Sequence, residues 1–210
     1  MSTSRREPVP PLAHEEQGHG HSVAFIHGYI SDRRVWSKAR VRWNGPGRLF
    51  FPTLRGFGDS ASAPDPAEFG TEPHLRQLAG FLEDAAGEPA HLVGWSYGAT
   101  IALLLASLRP DLVASVYSYE AGLSSFVTDQ DIAHRIAADR SQMAGPAIAA
   151  VGDGDPGLAV ERIVDGSCGR DGVFAGLDAS TRRFSVTMRA RSVSCSLAWP
   201  ATFGRDRGPA

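Results

Sequence analysis

The stretch Gly94-Trp95-Ser96-Tyr97-Gly98 decides the fold, because it joins a short apolar run to a long helix-forming one. Residues 90–93 have the length of a buried strand, and residues 99–108 contain good helix formers. A G-x-S-x-G sequence between a strand and a helix predicts a sharp turn with a strained serine backbone. Both glycines are required, because a side chain at either position would collide with neighbouring backbone. Such a turn would hold the Ser96 hydroxyl above the sheet, at the positive end of the following helix.

Strand and helix patterns alternate on both sides of this turn. Residues 23–29 predict a buried strand that stops at His27-Gly28, and residues 49–52 predict a second strand. Residues 74–86 carry apolar side chains at helical spacing, and residues 112–119 form another apolar run. This alternation predicts the α/β class, with a mostly parallel sheet.

Four segments together resemble the α/β-hydrolase superfamily: residues 25–29 (FIHGY), 55–60 (RGFGDS), 92–100 (LVGWSYGAT) and 109–120 (RPDLVASVYSYE). They are most similar to the group of cap-bearing esterases, C–C hydrolases and cofactor-free haloperoxidases. The resemblance covers residues 22 to about 121, with the expected order and spacing. It implies a mostly parallel sheet with helices on both faces, a serine nucleophile and a helical lid.

The resemblance also implies a role for each matching residue. Ser96 takes the place of the nucleophile, and the backbone N–H of Tyr97 that of one oxyanion donor. The second donor is the residue after His27-Gly28, which is Tyr29. Loss of one such donor typically lowers the rate by roughly 10²–10³. His27 is expected to steady the loop rather than to act as the catalytic base.

The histidine and the usual acid of a complete triad are missing from the sequence pattern. In this fold the chain order is serine, acid, histidine, and of the seven histidines only His134 follows Ser96. His134 lies in a polar, helix-like stretch rather than in a Gly-rich loop near the end of the chain. Glu120 follows the strand after the turn, so it is either the acid or a structural residue.

Other polar residues have two interpretations each. Trp95 and Tyr97 either line a pocket or pack in the core, and Asp59 is expected to stabilise its own turn. The spacing of His19 and His21 suggests a pair of metal ligands, but the interpretation as part of a Gly-rich, disordered N-terminus is favoured. Residues 152–157 suggest a calcium loop, but the further ligands of an EF-hand are missing, which favours a turn in the lid. No metal or cofactor site is therefore predicted.

The pattern divides the chain into four segments. Residues 1–20 are predicted to be disordered or to form part of a first hairpin, and residues 21–121 to form the hydrolase core. Residues 122–184 resemble the helical lid, and residues 185–210 have neither helical nor strand periodicity. The expected sheet has four parallel strands, five in all, with residues 113–119 at an open edge. Such an edge predicts marginal stability and self-association.

The tail suggests a specific hypothesis. One allowed codon choice for residues 185–192, read from its third base, encodes Ser-Asp-Asn-Ala-Arg-Ser-Val, which resembles the continuation of a lid helix. We therefore hypothesise that residues from about 185 onward are out of frame, and that the C-terminal part of the fold is lost. The gene sequence around codon 185 tests this hypothesis.

Composition limits the partners of the chain. The 210 residues carry a net charge of −2 and are 42% hydrophobic, which suits a sizeable core and favours neither nucleic acid nor an anionic membrane. No run reaches the roughly 18 apolar residues that span a bilayer. Cys168 and Cys195 are predicted to be free thiols in a reducing, cytoplasmic compartment.

Two functions remain open at this point. The first is hydrolysis of an ester or related carbonyl by Ser96, weak or absent for want of a recognisable base, with a small molecule as substrate. The second is a non-catalytic remnant or pseudoenzyme that binds a small apolar ligand at most. The residues alone leave the substrate and the presence of activity undecided.

Overall fold

In a computed structural model of the chain, the structure describes residues 11–60, 69–122, 127–179 and 181–182. The chain divides into two compact units between Gly122 and Leu123. The first unit contains every described strand, and the described elements of the second unit are all helices.

The first unit follows the predicted alternation of strands and helices. Its strands are β1 (His14–His19), β2 (Ser22–Ile26), β3 (Gly47–Pro52), β4 (Ala90–Trp95) and β5 (Val113–Tyr119). Its helices are α1 (Ser37–Arg42), α2 (Thr71–Ala85) and α3 (Tyr97–Leu108), with short 3₁₀ turns at Arg33–Trp36, Gly58–Ser60 and Pro110–Leu112.

The described strands form one sheet in the order β1-β3-β2-β4-β5. Strands β3, β2, β4 and β5 are parallel, and β1 pairs with β3 in the antiparallel sense. The predicted α/β class and mostly parallel sheet are therefore confirmed. After β2 the chain forms β3 on one side of β2, and it later forms β4 on the other side of β2. In open α/β sheets ligands bind where the strand order reverses in this way, outside the carboxyl ends of the strands.

Burial follows the position of each strand in the sheet. All of β2 is buried, as expected for a central parallel strand covered on both faces. The Phe25 ring stacks on Phe51 of β3 with centroids 4.9 Å apart. Strand β5 is at the edge of the described sheet, and Tyr117 and Tyr119 are 65% and 54% exposed.

The segment before β2 contains a strand. Residues 14–19 form β1, which pairs with β3 and not with β2, so the disorder favoured around His19 is not seen there. Gly18 and Gly20 have φ values of +80° and +114°, which glycine adopts readily and which turn the chain from β1 into β2. Residues 1–10 lie outside the described part of the chain.

Helix α2 begins at Thr71, three residues before the predicted start at about residue 74. Gly70 precedes it with φ of +135°, and Pro73 lies in the first turn, where proline is tolerated. The polar first turn carries no apolar periodicity, so the sequence pattern did not include it.

The second unit contains α4 (Gln130–Gly152), α5 (Pro156–Ser167) and α6 (Val173–Gly176). Helices α4 and α5 pack against each other, and Gly166 permits the close approach, since a Cβ there would lie 2.6 Å from the Met143 carbonyl oxygen. Buried Asp165 accepts the N–H groups of Gly172 and Phe174, both at 2.8 Å. These bonds lower the pKa of the Asp165 carboxyl and fix the start of α6.

Several predictions fall outside the described residues. The structure does not describe the proposed out-of-frame tail from residue 185, which includes Cys195. It also does not describe Arg183 and Phe184 at the end of the predicted lid, or the side chain of Asp59. Cys168 is an exposed free thiol. Within the described ranges, no helix has the length and apolar character that crossing a bilayer requires.

Candidate active site

Ser96 occupies the strained turn that the sequence predicts. Its backbone has φ of +52° and ψ of −114°, a conformation that costs a non-glycine residue of order 1–3 kcal/mol. It stands between the last residue of β4 and the first residue of α3. Its N–H donates to the Tyr119 carbonyl at 2.8 Å, so the ladder between β4 and β5 continues into the turn.

The two flanking glycines are fixed by close backbone contacts. A Cβ on Gly94 would lie 2.5 Å from the Ala99 Cα, and one on Gly98 would lie 2.5 Å from the His27 carbonyl oxygen. Cβ atoms essentially never approach backbone this closely, so glycine is required at both positions. The contact of Gly98 also places the first turn of α3 against the end of β2.

The two residues that carry the candidate oxyanion donors, Tyr29 and Tyr97, lie near the carboxyl ends of adjacent strands. Strands β2 and β4 are adjacent, with Ile26 opposite Gly94, so Tyr29 and Tyr97 follow strands that end side by side. The rings of Tyr29 and Tyr97 meet edge to face, with centroids 5.7 Å apart. The N–H groups in the first turn of a helix have no partner within the helix, so that of Tyr97 suits an anionic oxygen.

The His27 ring hydrogen-bonds two backbone groups. The ring is fully buried; Nε2 accepts the Leu54 N–H at 3.0 Å, and Nδ1 therefore donates to the Gly28 carbonyl at 2.7 Å. Burial lowers the pKa of His27 to about 4, so the ring is neutral near pH 7. The Gly28 carbonyl and the Tyr29 N–H belong to one planar peptide group and point in opposite directions. His27 therefore sets the direction of the Tyr29 N–H.

Trp95 and Glu120 form a pair beside the turn. The Trp95 indole N–H donates to a Glu120 carboxylate oxygen at 3.3 Å. A Cβ on Gly28 would lie 2.9 Å from the Trp95 ring, so glycine makes room for the indole. Glu120 also has a positive φ of +57°. Its hydrogen-bond partner is an indole, and among the described residues no histidine hydrogen-bonds it.

All seven histidines lie in the described ranges, and none of their rings hydrogen-bonds the Ser96 hydroxyl there. The rings of His27 and His74 are buried and use both nitrogens in other bonds. His91 bonds Ser115 on the neighbouring strand, and His14 bonds the Leu12 carbonyl. His134 is exposed on α4 of the second unit.

The two sequence patterns that suggested a metal site, His19 with His21 and residues 152–157, lie at a strand end and in a helix connection. His19 ends β1, and the side chain of His21 lies 3.7 Å from Glu88. Residues 153–155 join α4 to α5, where Asp155 accepts the Leu158 N–H as a helix cap. Within the described residues no group of three or more His, Cys, Asp or Glu side chains could hold a metal ion.

One residue near the site was not predicted. His74 is fully buried and bonds the Tyr97 hydroxyl at 2.7 Å, across 23 positions of sequence. The available signal was a histidine on the apolar face of α2, next to Leu75 and Leu78. That pattern does not indicate which distant side chain the histidine meets.

Comparison with known proteins agrees with this fold. The family described as alpha/beta hydrolase fold matches residues 23–155, which is more than half of the chain. The chain therefore belongs to the alpha/beta hydrolase family, and the resemblance of residues 22 to about 121 is confirmed.

Relatives within the family differ in what they act on. The chain is 38% identical over 116 residues to an epoxide hydrolase of Caballeronia sordidicola, which covers 54% of this chain and 34% of that protein. It is 36% identical over 103 residues to the pimeloyl-[acyl-carrier protein] methyl ester esterase of Methylococcus capsulatus, covering 49% of this chain and 37% of that protein. These matches thus span about a third of the length of the curated relatives.

A solved structure supports the fold. The epoxide hydrolase CorEH superimposes with a TM-score of 0.67 at 16% identity, covering 89% of this chain and 67% of that one. At this identity the likeness concerns the fold alone.

Proposed function

We propose that Ser96 attacks the carbonyl carbon of an ester or related substrate. The observation that carries this proposal is the strained turn at Ser96, with φ of +52°, beside the end of β2. A backbone held in a costly conformation at the carboxyl ends of the strands suggests a functional reason for the strain. The esterase relative from Methylococcus capsulatus supports a carbonyl substrate.

The chemistry would use three groups of the first unit. The Ser96 hydroxyl oxygen adds to the carbonyl carbon and its proton passes to water, while the carbonyl oxygen becomes an oxyanion that accepts from the N–H groups of Tyr97 and Tyr29. The oxyanion then re-forms the carbonyl, the bond to the alcohol oxygen breaks, and the leaving alkoxide takes a proton from water. A water molecule then adds to the acylated serine and releases the acid, and the Ser96 oxygen regains its proton. The helix dipole of α3 stabilises the negative charge at its N-terminus.

The expected rate is low, because the serine proton lacks a base among the described neighbours of Ser96. Loss of the histidine alone from a complete triad costs on the order of 10⁶ in turnover. The proposed activity is therefore weak.

Hydrolysis of a short p-nitrophenyl ester tests the proposal. The wild-type chain should hydrolyse the ester faster than buffer does, and Ser96→Ala should remove the excess. His134→Gln tests whether the single histidine that follows Ser96 takes part, and the expected result is an unchanged rate. Equal rates for the wild type and Ser96→Ala would refute a nucleophilic serine.

The second candidate is a non-catalytic protein that binds small apolar ligands. It is favoured by one observation: no described histidine hydrogen-bonds Ser96. This candidate predicts that the wild type hydrolyses the ester no faster than Ser96→Ala does, and that both proteins bind an apolar probe. The same assay therefore separates the two candidates.

A further inference from the structure

We propose that His74 is a positioning residue that holds Tyr97, and with it the backbone N–H beside Ser96, through a buried hydrogen bond. This inference rests on the proposed function, since it concerns a donor for the developing oxyanion. It assigns a role to a histidine that does not itself touch the substrate.

The hydrogen bonds of His74 fix its protonation. Nε2 lies 2.9 Å from the Arg55 carbonyl, which can only accept, so Nε2 carries the proton. Nδ1 is then the acceptor, and the Tyr97 hydroxyl 2.7 Å away donates to it. Both ring nitrogens of His74 therefore have a hydrogen-bond partner, and the bond to the hydroxyl fixes the orientation of the Tyr97 ring.

Gln77 on α2 extends the contact, since its side-chain oxygen accepts the Arg55 N–H at 3.2 Å. His74 and Gln77 are three positions apart, so they lie on one face of α2. This face of α2 therefore holds both the backbone of Arg55 and the side chain of Tyr97.

The position of Tyr97 separates this arrangement from an ordinary satisfied core histidine. Tyr97 is the first residue of α3 and immediately follows the strained Ser96, so a rotation of its backbone would move the N–H that faces the oxyanion. Its ring also packs against Tyr29, the residue with the other candidate donor. An apolar residue in place of His74 could fill the space, but it would not hold the phenol.

A double-mutant cycle of His74→Phe and Tyr97→Phe tests the coupling. Each single change should lower kcat for ester hydrolysis about 10- to 100-fold with little change in KM, since misplacing one oxyanion donor has effects up to this size. The double variant should be no slower than the slower single variant, because both changes remove the same bond. Effects that multiply instead would overturn the proposal.

Two further variants separate positioning from stability. His74→Asn keeps an acceptor on the side chain and should restore part of the rate that His74→Phe loses. Leu78→Val removes buried volume from the same helix and should lower the unfolding temperature without changing kcat. An equal loss of kcat in His74→Phe and Leu78→Val would show that His74 acts through stability alone.

NMR spectroscopy tests the proposal without activity, should the wild type and Ser96→Ala prove equally slow. The ¹⁵N spectrum should show His74 as the Nε2–H tautomer. The Tyr97 amide resonance should shift more in His74→Phe than in Leu78→Val. A His74 ring protonated at Nδ1, or an unmoved Tyr97 amide, would contradict the proposal, whatever the fate of the proposed function.

Discussion

Ser96 carries backbone strain that the fold imposes on it. Glycine adopts positive φ without steric cost, whereas alanine keeps the strain and removes only the hydroxyl. Ser96→Gly should therefore be more stable to urea than Ser96→Ala, by about 1 kcal/mol, because relief of strain outweighs the added entropy of the unfolded chain. Equal stabilities of the two variants would show that the turn is unstrained.

Gly98 lets the first turn of α3 lie against the end of β2. Gly98→Ala should lower the free energy of unfolding by roughly 2 kcal/mol or more, since backbone carbonyls of Ile26 and His27 occupy the space of the new Cβ. Gly80→Ala is the matched control, because nothing lies within 4 Å of that position on α2. It should stabilise the protein by about 0.5–1 kcal/mol. Urea unfolding that ranks the two variants the other way would contradict the assigned contact.

At the scale of elements, local patterns predict much of the first unit. Strands β2 and β4 and the turn at Ser96 follow from apolar runs and glycines close together in sequence. The hydrogen bond between His74 and Tyr97 cannot be predicted in this way, because the two residues are 23 positions apart on different helices and no local sequence pattern links them. The first turn of α2 was missed because its residues, Thr71, Glu72 and Pro73, are not apolar and so add nothing to the apolar periodicity.

Helices α4 and α5 depend on one glycine for their close approach. Gly166→Ala should separate them and lower the unfolding temperature of the second unit, because the new Cβ would meet the Met143 carbonyl. Gly152→Ala, at a helical position with nothing within 4 Å, should leave that temperature unchanged or raise it slightly. Circular dichroism on heating measures both variants, and equal effects would place the contact elsewhere.

Self-association through β5 stays a prediction from the sequence. The edge strand exposes Tyr117 and Tyr119, and an unpaired apolar edge invites another strand. Tyr117→Lys should weaken association, because a charge on an edge strand opposes pairing. Sedimentation over a series of concentrations measures the effect, and a wild type that stays monomeric throughout would rule the prediction out.

At the scale of the whole molecule, two buried histidines link stability to pH. Burial lowers the pKa of His27 and of His74 to about 4, below the value near 6.5 in the unfolded chain. Between these two values the unfolded state binds more protons, so stability falls as the pH falls. Each histidine can contribute about 3 kcal/mol over this window, and most of it should be lost by about pH 4.5.

Urea unfolding from neutral pH down to about pH 4.5 measures this dependence. His74→Asn should show about half the wild-type slope, since one of the two histidines is gone. An unchanged slope in this variant would mean that His74 takes up a proton as readily in the folded state as in the unfolded one.

Covalent capture of Ser96 tests the central claim most directly. Incubation with a p-nitrophenyl phosphonate, followed by peptide mass spectrometry, reports which serine becomes modified. We predict that the adduct forms on Ser96 faster than on any other serine, and that denatured protein loses this preference. Modification of Ser96 at the same rate as that of exposed serines would contradict a nucleophilic serine at this turn.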